Sequence, residues 1–233
     1  MTFGEVMNRL EAMGTAQNRK VYARHGVPEP MFGVSYASLE ALARQIGVDQ
    51  PLAERLWASG NHDAQVLATR VADPARFGRR DLDLWARALS SHVLTDAFSV
   101  LAGRTAHVRI KADAWGRARG EWKGQAGWNL VAYLALRDRS LDDAYFAERL
   151  EQIAADIHDR PNRVRHAMNG ALIAIGLRNA RLEGLALEAA RRIGPVEVDH
   201  GDTTCQTPDA AGSIAKAKKG APRRGRPRRS PAS

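Results

Sequence analysis

Along nearly the whole chain, apolar residues recur at three- and four-residue intervals between residues that start and stop helices. Phe3, Val6, Met7 and Leu10 keep this spacing, and Thr2 with Glu5 forms a capping-box pattern ahead of them. Leu39, Leu42, Ala43 and Ile46 repeat it between Ser35, a cap, and Gly47, a stop. Asp49 caps a segment with Pro51 in its first turn and Gly60 at its end, and Asn61 caps the next, which runs out at Asp73-Pro74. The same grammar predicts helices opening at Asp81, near Thr95 and at Thr105, then over 121–137, 141–158, 162–178 and 182–193. No run of alternating β-branched residues interrupts them, so strands are not expected.

Eleven or twelve helices joined by short turns, a pair every ~35–45 residues, have the spacing of HEAT and armadillo solenoids. The expected fold is therefore all-α, a stack of helix pairs with a concave face. A globular bundle is the competing arrangement, because no internal sequence repeat is visible.

Charge divides the chain in two. Of its 35 basic residues, eight fall within 211–233, which hold no acid, leaving 27 basic against 26 acidic residues in the body. The tail is rich in Lys, Arg, Pro, Gly and Ser, and Ile214 is its only large apolar residue. Such a stretch is expected to be disordered by itself. The expected domains are thus 1–210 and a basic tail from 211. Within the tail, Arg223, Arg224, Gly225, Arg226, Pro227, Arg228 and Arg229 resemble an AT-hook, whose thin extended strand enters the narrow minor groove of A·T-rich DNA. Generic binding to phosphates by counterion release is the broader reading. One cysteine excludes a disulfide framework and thiolate metal clusters. The absence of a secretory pattern or a long apolar run gives the expectation of a cytoplasmic, nucleoid-associated monomer that needs no cofactor or metal.

Several clusters could carry chemistry. His92 and Asp96 stand four apart and share a helix face, a pairing able to stabilise positive charge or move a proton. Trp115, Trp122 and Trp128 crowd near Gln125 and Asn129, and at least two of the three are expected in the core. Arg163 and Arg165, with Arg178 and Arg181, could track a phosphate backbone. His62-Asp63, His158-Asp159 and the group Asp199, His200, Asp202 and Cys205 contain metal-ligand and nucleophile types, but their spacing better suits polar turns.

The segments 22–47, 56–74, 90–102, 121–135, 160–179 and 198–210 resemble the AlkD-like DNA alkylation repair family. Phe32-Gly33-Val34 and Leu56-Trp57 are the most specific parts. The resemblance spans about residues 18–210. It implies a HEAT-like solenoid gripping duplex DNA, with excision of N3- and N7-alkylated purines in the family's enzymes. A cationic alkylpurine is a good leaving group, and a carboxylate near C1′ stabilises the oxocarbenium-like charge left on the sugar. By this resemblance Asp96 matches the catalytic aspartate. The departures are His92 where the enzymes carry tryptophan, Gln125 where they carry arginine, and Gly170 where a second lesion-facing tryptophan falls. Two readings follow: a monofunctional glycosylase acting on alkylated double-stranded DNA through Asp96 and His92, or a non-catalytic HEAT-repeat DNA-binding module. In either, Gln125, Arg163, Arg165 and the tail arginines are the expected DNA contacts.

Overall fold

The computed structural model describes residues 1–220, with side chains through Ala217, and no strand occurs among the described residues. The chain opens with α1 (Phe3–Met13), α2 (Ala16–Arg24) and α3 (Tyr36–Ile46). Four pairs follow: α4 (Gln50–Ala58) with α5 (His62–Val71), α6 (Arg79–Arg87) with α7 (His92–Gly103), α8 (Val108–Gly116) with α9 (Glu121–Arg137), and α10 (Asp143–Asp156) with α11 (Asn162–Gly176). Then come α12 (Ala180–Ile193) and α13 (Ala210–Gly220), separated by an irregular segment over 194–209. The odd-numbered helices from α3 to α13 stack in sequence as one inner row, and each even-numbered helix from α4 to α12 packs behind its successor. Since every inner helix is reached through an outer one, the inner helices run parallel, with their N-terminal ends along one edge. This is the HEAT-like solenoid.

Local signals set most boundaries. Thr2 accepts from the Glu5 amide while Glu5 accepts from the Thr2 amide. Ser35, Asp49 and Asn61 cap α3, α4 and α5 through Ser38, Leu52 and Ala64. Gly47 and Gly60 end their helices at φ of 74° and 70°, a region costly for other residues.

Aromatic rings link the pairs. Trp57 of α4 stacks on Trp85 of α6 at 4.3 Å, Phe77 meets Trp85 edge-on at 4.8 Å, and Trp57, Phe98 and Trp115 continue the line at 5.8 Å steps. Trp115 and Trp128 are buried as expected, while Trp122 is half-buried at the start of α9. Burial of each such ring contributes roughly 1.5–3 kcal/mol. α8 and α9 approach so closely that a methyl group on Gly127 would lie 2.1 Å from the Gly116 nitrogen.

The C-terminal boundary differs from the expectation of disorder beginning at 211. Residues 210–220 form α13, the sixth helix of the inner row. Ile214, the lone large apolar residue of that stretch, is fully buried against Gly176 and Ala186, whose small size makes room for it. The AT-hook-like motif, with Arg223, Arg224, Arg226, Arg228 and Arg229, lies outside the described residues.

Candidate DNA-facing site

The N-terminal ends of α7, α9 and α11 meet around Asp96. Ser91 caps α7 through the Leu94 amide, which puts His92 in the first turn and Asp96 one turn on. From α9, Gln125 Nε2 and Asn129 Nδ2 each donate to Asp96 Oδ1 at 2.8 Å. Among the described residues Asp96 forms no ion pair, caps no helix, and accepts no hydrogen bond at Oδ2. The residue keeps an exposed surface although protein crowds around it, the situation of a group on the floor of a concave surface. That crowding raises its carboxyl above the ordinary carboxylate range, opposed by the Asn129 and Gln125 amides and by Arg163.

His92 is no cation here. Burial above all, then Arg163 and the rings of His25, His166 and His200, push it down to about 4. Its face is covered by His25, from the end of α2, at 6.0 Å and nearly parallel. Its Nδ1 is enclosed without a hydrogen-bond partner. The sign of the resulting pH dependence follows directly. An unfolded histidine takes a proton near pH 6.5, so between there and pH 4 the unfolded chain binds more protons. The stability that His92 contributes is complete above about pH 6.5 and is lost as pH falls toward 4, by at most about 3 kcal/mol. Urea titrations across that window should show a steeper decline in wild type than in His92→Asn.

Gln125 does not occupy the DNA-contacting position expected of it. It is 3% exposed and lies beneath the site, its amide shared between Asp96 and the His92 carbonyl at 3.2 Å. An amide fits this buried place because it can donate to a carboxylate and a carbonyl together, without the desolvation cost of a guanidinium. Arg163 is half-buried in the first turn of α11, where its backbone amide donates to Glu121 Oε1 at 2.8 Å. Its guanidinium forms no ion pair among the described residues and acts electrostatically on Asp96, His92, His166 and His200. Arg165 is also half-buried, reaching Asn162 Oδ1 at 3.5 Å with its Nε enclosed and unpartnered. At Gly170, exposed on α11, an added methyl would meet nothing within 4 Å, so the surface there is open.

The other clusters hold the frame. Asp63, fully buried at the start of α5, accepts from the backbone amides of Phe32, Gly33 and Val34 at 2.6, 3.0 and 2.8 Å. It fixes the loop that leads into α3. Gly33 is required there, with φ of 79° and a Cβ position 2.7 Å from the Thr15 carbonyl. In the C-terminal segment, Asp199 accepts from the Gly201 amide and His200 pairs with the Thr207 hydroxyl, which builds a turn, while Cys205 is exposed. No group of three or more metal-ligating side chains is assembled among the described residues. Sequence reasoning missed His25 and His166, because nothing local marks residues brought together from α2, α7 and α11.

This arrangement sits in a known setting. Residues 6–209 match the family described as DNA alkylation repair enzyme. The chain belongs to that family. Two uncharacterized Listeria proteins, Lmo0209 of L. monocytogenes and Lin0241 of L. innocua, are each 25% identical over 225 residues, covering 94% of this chain and 98% of theirs. A solved structure matches with a TM-score of 0.87 and 32% identity over 94% of both chains. It is described as a new family of proteins related to the HEAT-like repeat DNA glycosylases with affinity for branched DNA structures. In this chain Asp96 is held by the Gln125 and Asn129 amides and lies in the field of Arg163. No helix among its described residues is long and apolar enough to cross a membrane.

Proposed function

We propose that this protein binds branched or locally opened DNA on its concave face and does not excise bases. The observation that carries this reading is the ring of His25 stacked on His92. It covers the His92 face that would otherwise meet a cationic purine, and an imidazole is a weaker π surface for a cation than an indole. The solved relative described as having affinity for branched DNA supports the choice of partner. Arg163 and Arg165 serve as phosphate contacts, and the basic residues from Lys216 onward add salt-sensitive attraction, with a preference for A·T-rich minor grooves if 223–229 act as an AT-hook.

One observation favours base excision instead. Asp96 keeps an oxygen without a hydrogen bond at an exposed position, which suits stabilisation of an oxocarbenium-like sugar. A single set of assays separates the two readings. Affinity is measured for a four-way junction, a fork and a linear duplex, and release of free base is followed from duplex containing N7-methylguanine. The expected results are junction binding at least about tenfold tighter than duplex, a difference near 1.4 kcal/mol, with no base release. Asp96→Asn should leave junction binding equal or slightly tighter, since a carboxylate facing a polyanion opposes binding. Base release by wild type that falls a hundred- to a thousandfold in Asp96→Asn, about 3–4 kcal/mol of transition-state stabilisation, would establish excision. Equal affinity for junction and duplex would remove the branched preference.

A further inference from the structure

We propose that the irregular segment after α12 and the inner helices together form a phosphate-binding site that takes up protons as it fills, centred on Arg163 and the imidazoles of His92, His166 and His200. The proposal rests on the reading of the concave face as a DNA-binding surface, and it is independent of whether bases are excised.

Its first support is the path of the segment. Asn162, at the start of α11, clamps Asp199 from both sides, donating to its carbonyl and accepting from its amide at 2.7 Å each. The His200 ring then meets His166 edge-on at 5.7 Å. Beyond it the chain reaches the far end of the site, where Asp202, Thr203 and Thr204 face Arg24 and His25 across an open groove of about 400 Å³. Asn169 finally holds the Pro208 carbonyl at 2.9 Å. The segment thus reaches from α11 toward the end of α2, and brings His200 into the electrostatic field of His92 on α7.

The second support is the balance of charge. α2 contributes Arg24 and His25, α7 contributes His92 and Asp96, and α11 contributes Arg163, Arg165 and His166. The segment itself adds Asp199, His200 and Asp202. The acids set against these groups are only partly satisfied: Asp96 Oδ1 is held by two amides, Asp199 Oδ1 by the Gly201 amide and Glu121 of α9 by the Arg163 backbone amide, while Asp96 Oδ2 and Asp202 accept no hydrogen bond among the described residues and oppose an anion. Arg163 is left with no ion pair among the described residues. Burial, followed by Arg163 and neighbouring imidazoles, holds His92 and His166 below the ordinary histidine range, and His200 is lowered by burial and Arg163 against the pull of Asp199. Arg163 and the three imidazoles form a place for an anion. A phosphate suits it because its oxygens can accept from a guanidinium and from imidazolium N–H groups at once. By linkage, an anion that lets these rings charge must bind more tightly as pH falls.

Sulfate tests this, as a tetrahedral oxyanion that does not itself titrate in the range used. The full chain is titrated calorimetrically with sulfate near pH 7.5 and near pH 6, in buffers of different ionisation enthalpy, and then with junction DNA with and without sulfate. The expected result is saturable binding with net proton uptake, its affinity rising by up to about tenfold per pH unit for each proton taken up. His200→Gln keeps a partner for Thr207 but removes a proton site, so it should lower both the uptake and the gain at low pH. Arg163→Gln should weaken binding at both pH values, with partial rescue by Arg163→Lys. Competition between sulfate and junction DNA identifies the DNA backbone as the phosphate source, and simultaneous binding identifies a separate phosphate compound. Binding without proton uptake, no saturable binding, or unchanged behaviour in His200→Gln overturns the proposal, while DNA binding that persists leaves the proposed function standing. Failure of wild type to bind any DNA overturns that function, whatever sulfate does.

Discussion

Gly127→Ala is expected to leave little folded protein. A methyl group there would stand 2.1 Å from the Gly116 nitrogen and 2.4 Å from the Trp115 carbonyl carbon, both backbone atoms of α8. A side chain could turn aside, but a helix backbone can yield only by moving. Moving α8 away from α9 would open the packing around Trp115, one of the largest fully buried side chains. The cost should exceed about 3 kcal/mol, a large share of the stability of a typical domain. Urea denaturation is the measurement, with Gly170→Ala as the control of opposite sign. Gly170 lies inside α11 with open space around it, so alanine there should stabilise by up to about 1 kcal/mol. Equal stability of the two variants would mean that the α8–α9 approach is looser than described.

Asp63→Ala should be nearly as damaging. It strips three backbone amides of their acceptor, and the Gly33 and Val34 amides are buried away from bulk solvent. A loss of about 3–5 kcal/mol is expected, with a smaller loss for Asp63→Asn, which keeps one acceptor oxygen. Because the loop over 32–34 leads into α3 and packs near α2, the change should also loosen His25 and unsettle its stack on His92. A ring signal of His92 that stays unchanged while stability falls would show that the loop and the site are uncoupled.

The contrast between these residues explains what could be read without coordinates. Helix starts at Thr2, Ser35, Asp49 and Asn61 were legible because a cap acts within three residues of itself. α2 escaped notice, since Ala16–Arg24 offers only Val21 and Tyr22 as large apolar residues, too few to show a period. α13 escaped for a related reason. Ile214 means little alone, and the room made for it by Gly176 and Ala186 belongs to other helices. At the site, His92 and Asp96 share one helix and were found together. Asp63 shows in the sequence only as half of a His-Asp pair, because its three partners lie about thirty positions earlier. Gln125 is matched to a DNA contact only through the family resemblance, whereas its burial depends on how closely α9 packs beside α7 in the inner row.

The last helix of the inner row gives the stack a weak end. A row whose members touch only their neighbours behaves like a zipper, opening where its final tooth is least secured. α13 is held chiefly by Ile214, whereas the opposite end is locked by the Asp63 clasp and the aromatic line through Trp57 and Trp85. Fraying should therefore begin at the C-terminus and travel inward, and amide exchange should record it as a gradient from α13 toward α7. The stretch from 195 to 209 is anchored on one side by α13, so the first tooth to open also slackens the span that carries His200 to His166. Local unfolding and a change in the histidine cluster then share one event, while the rest of the row stays zipped.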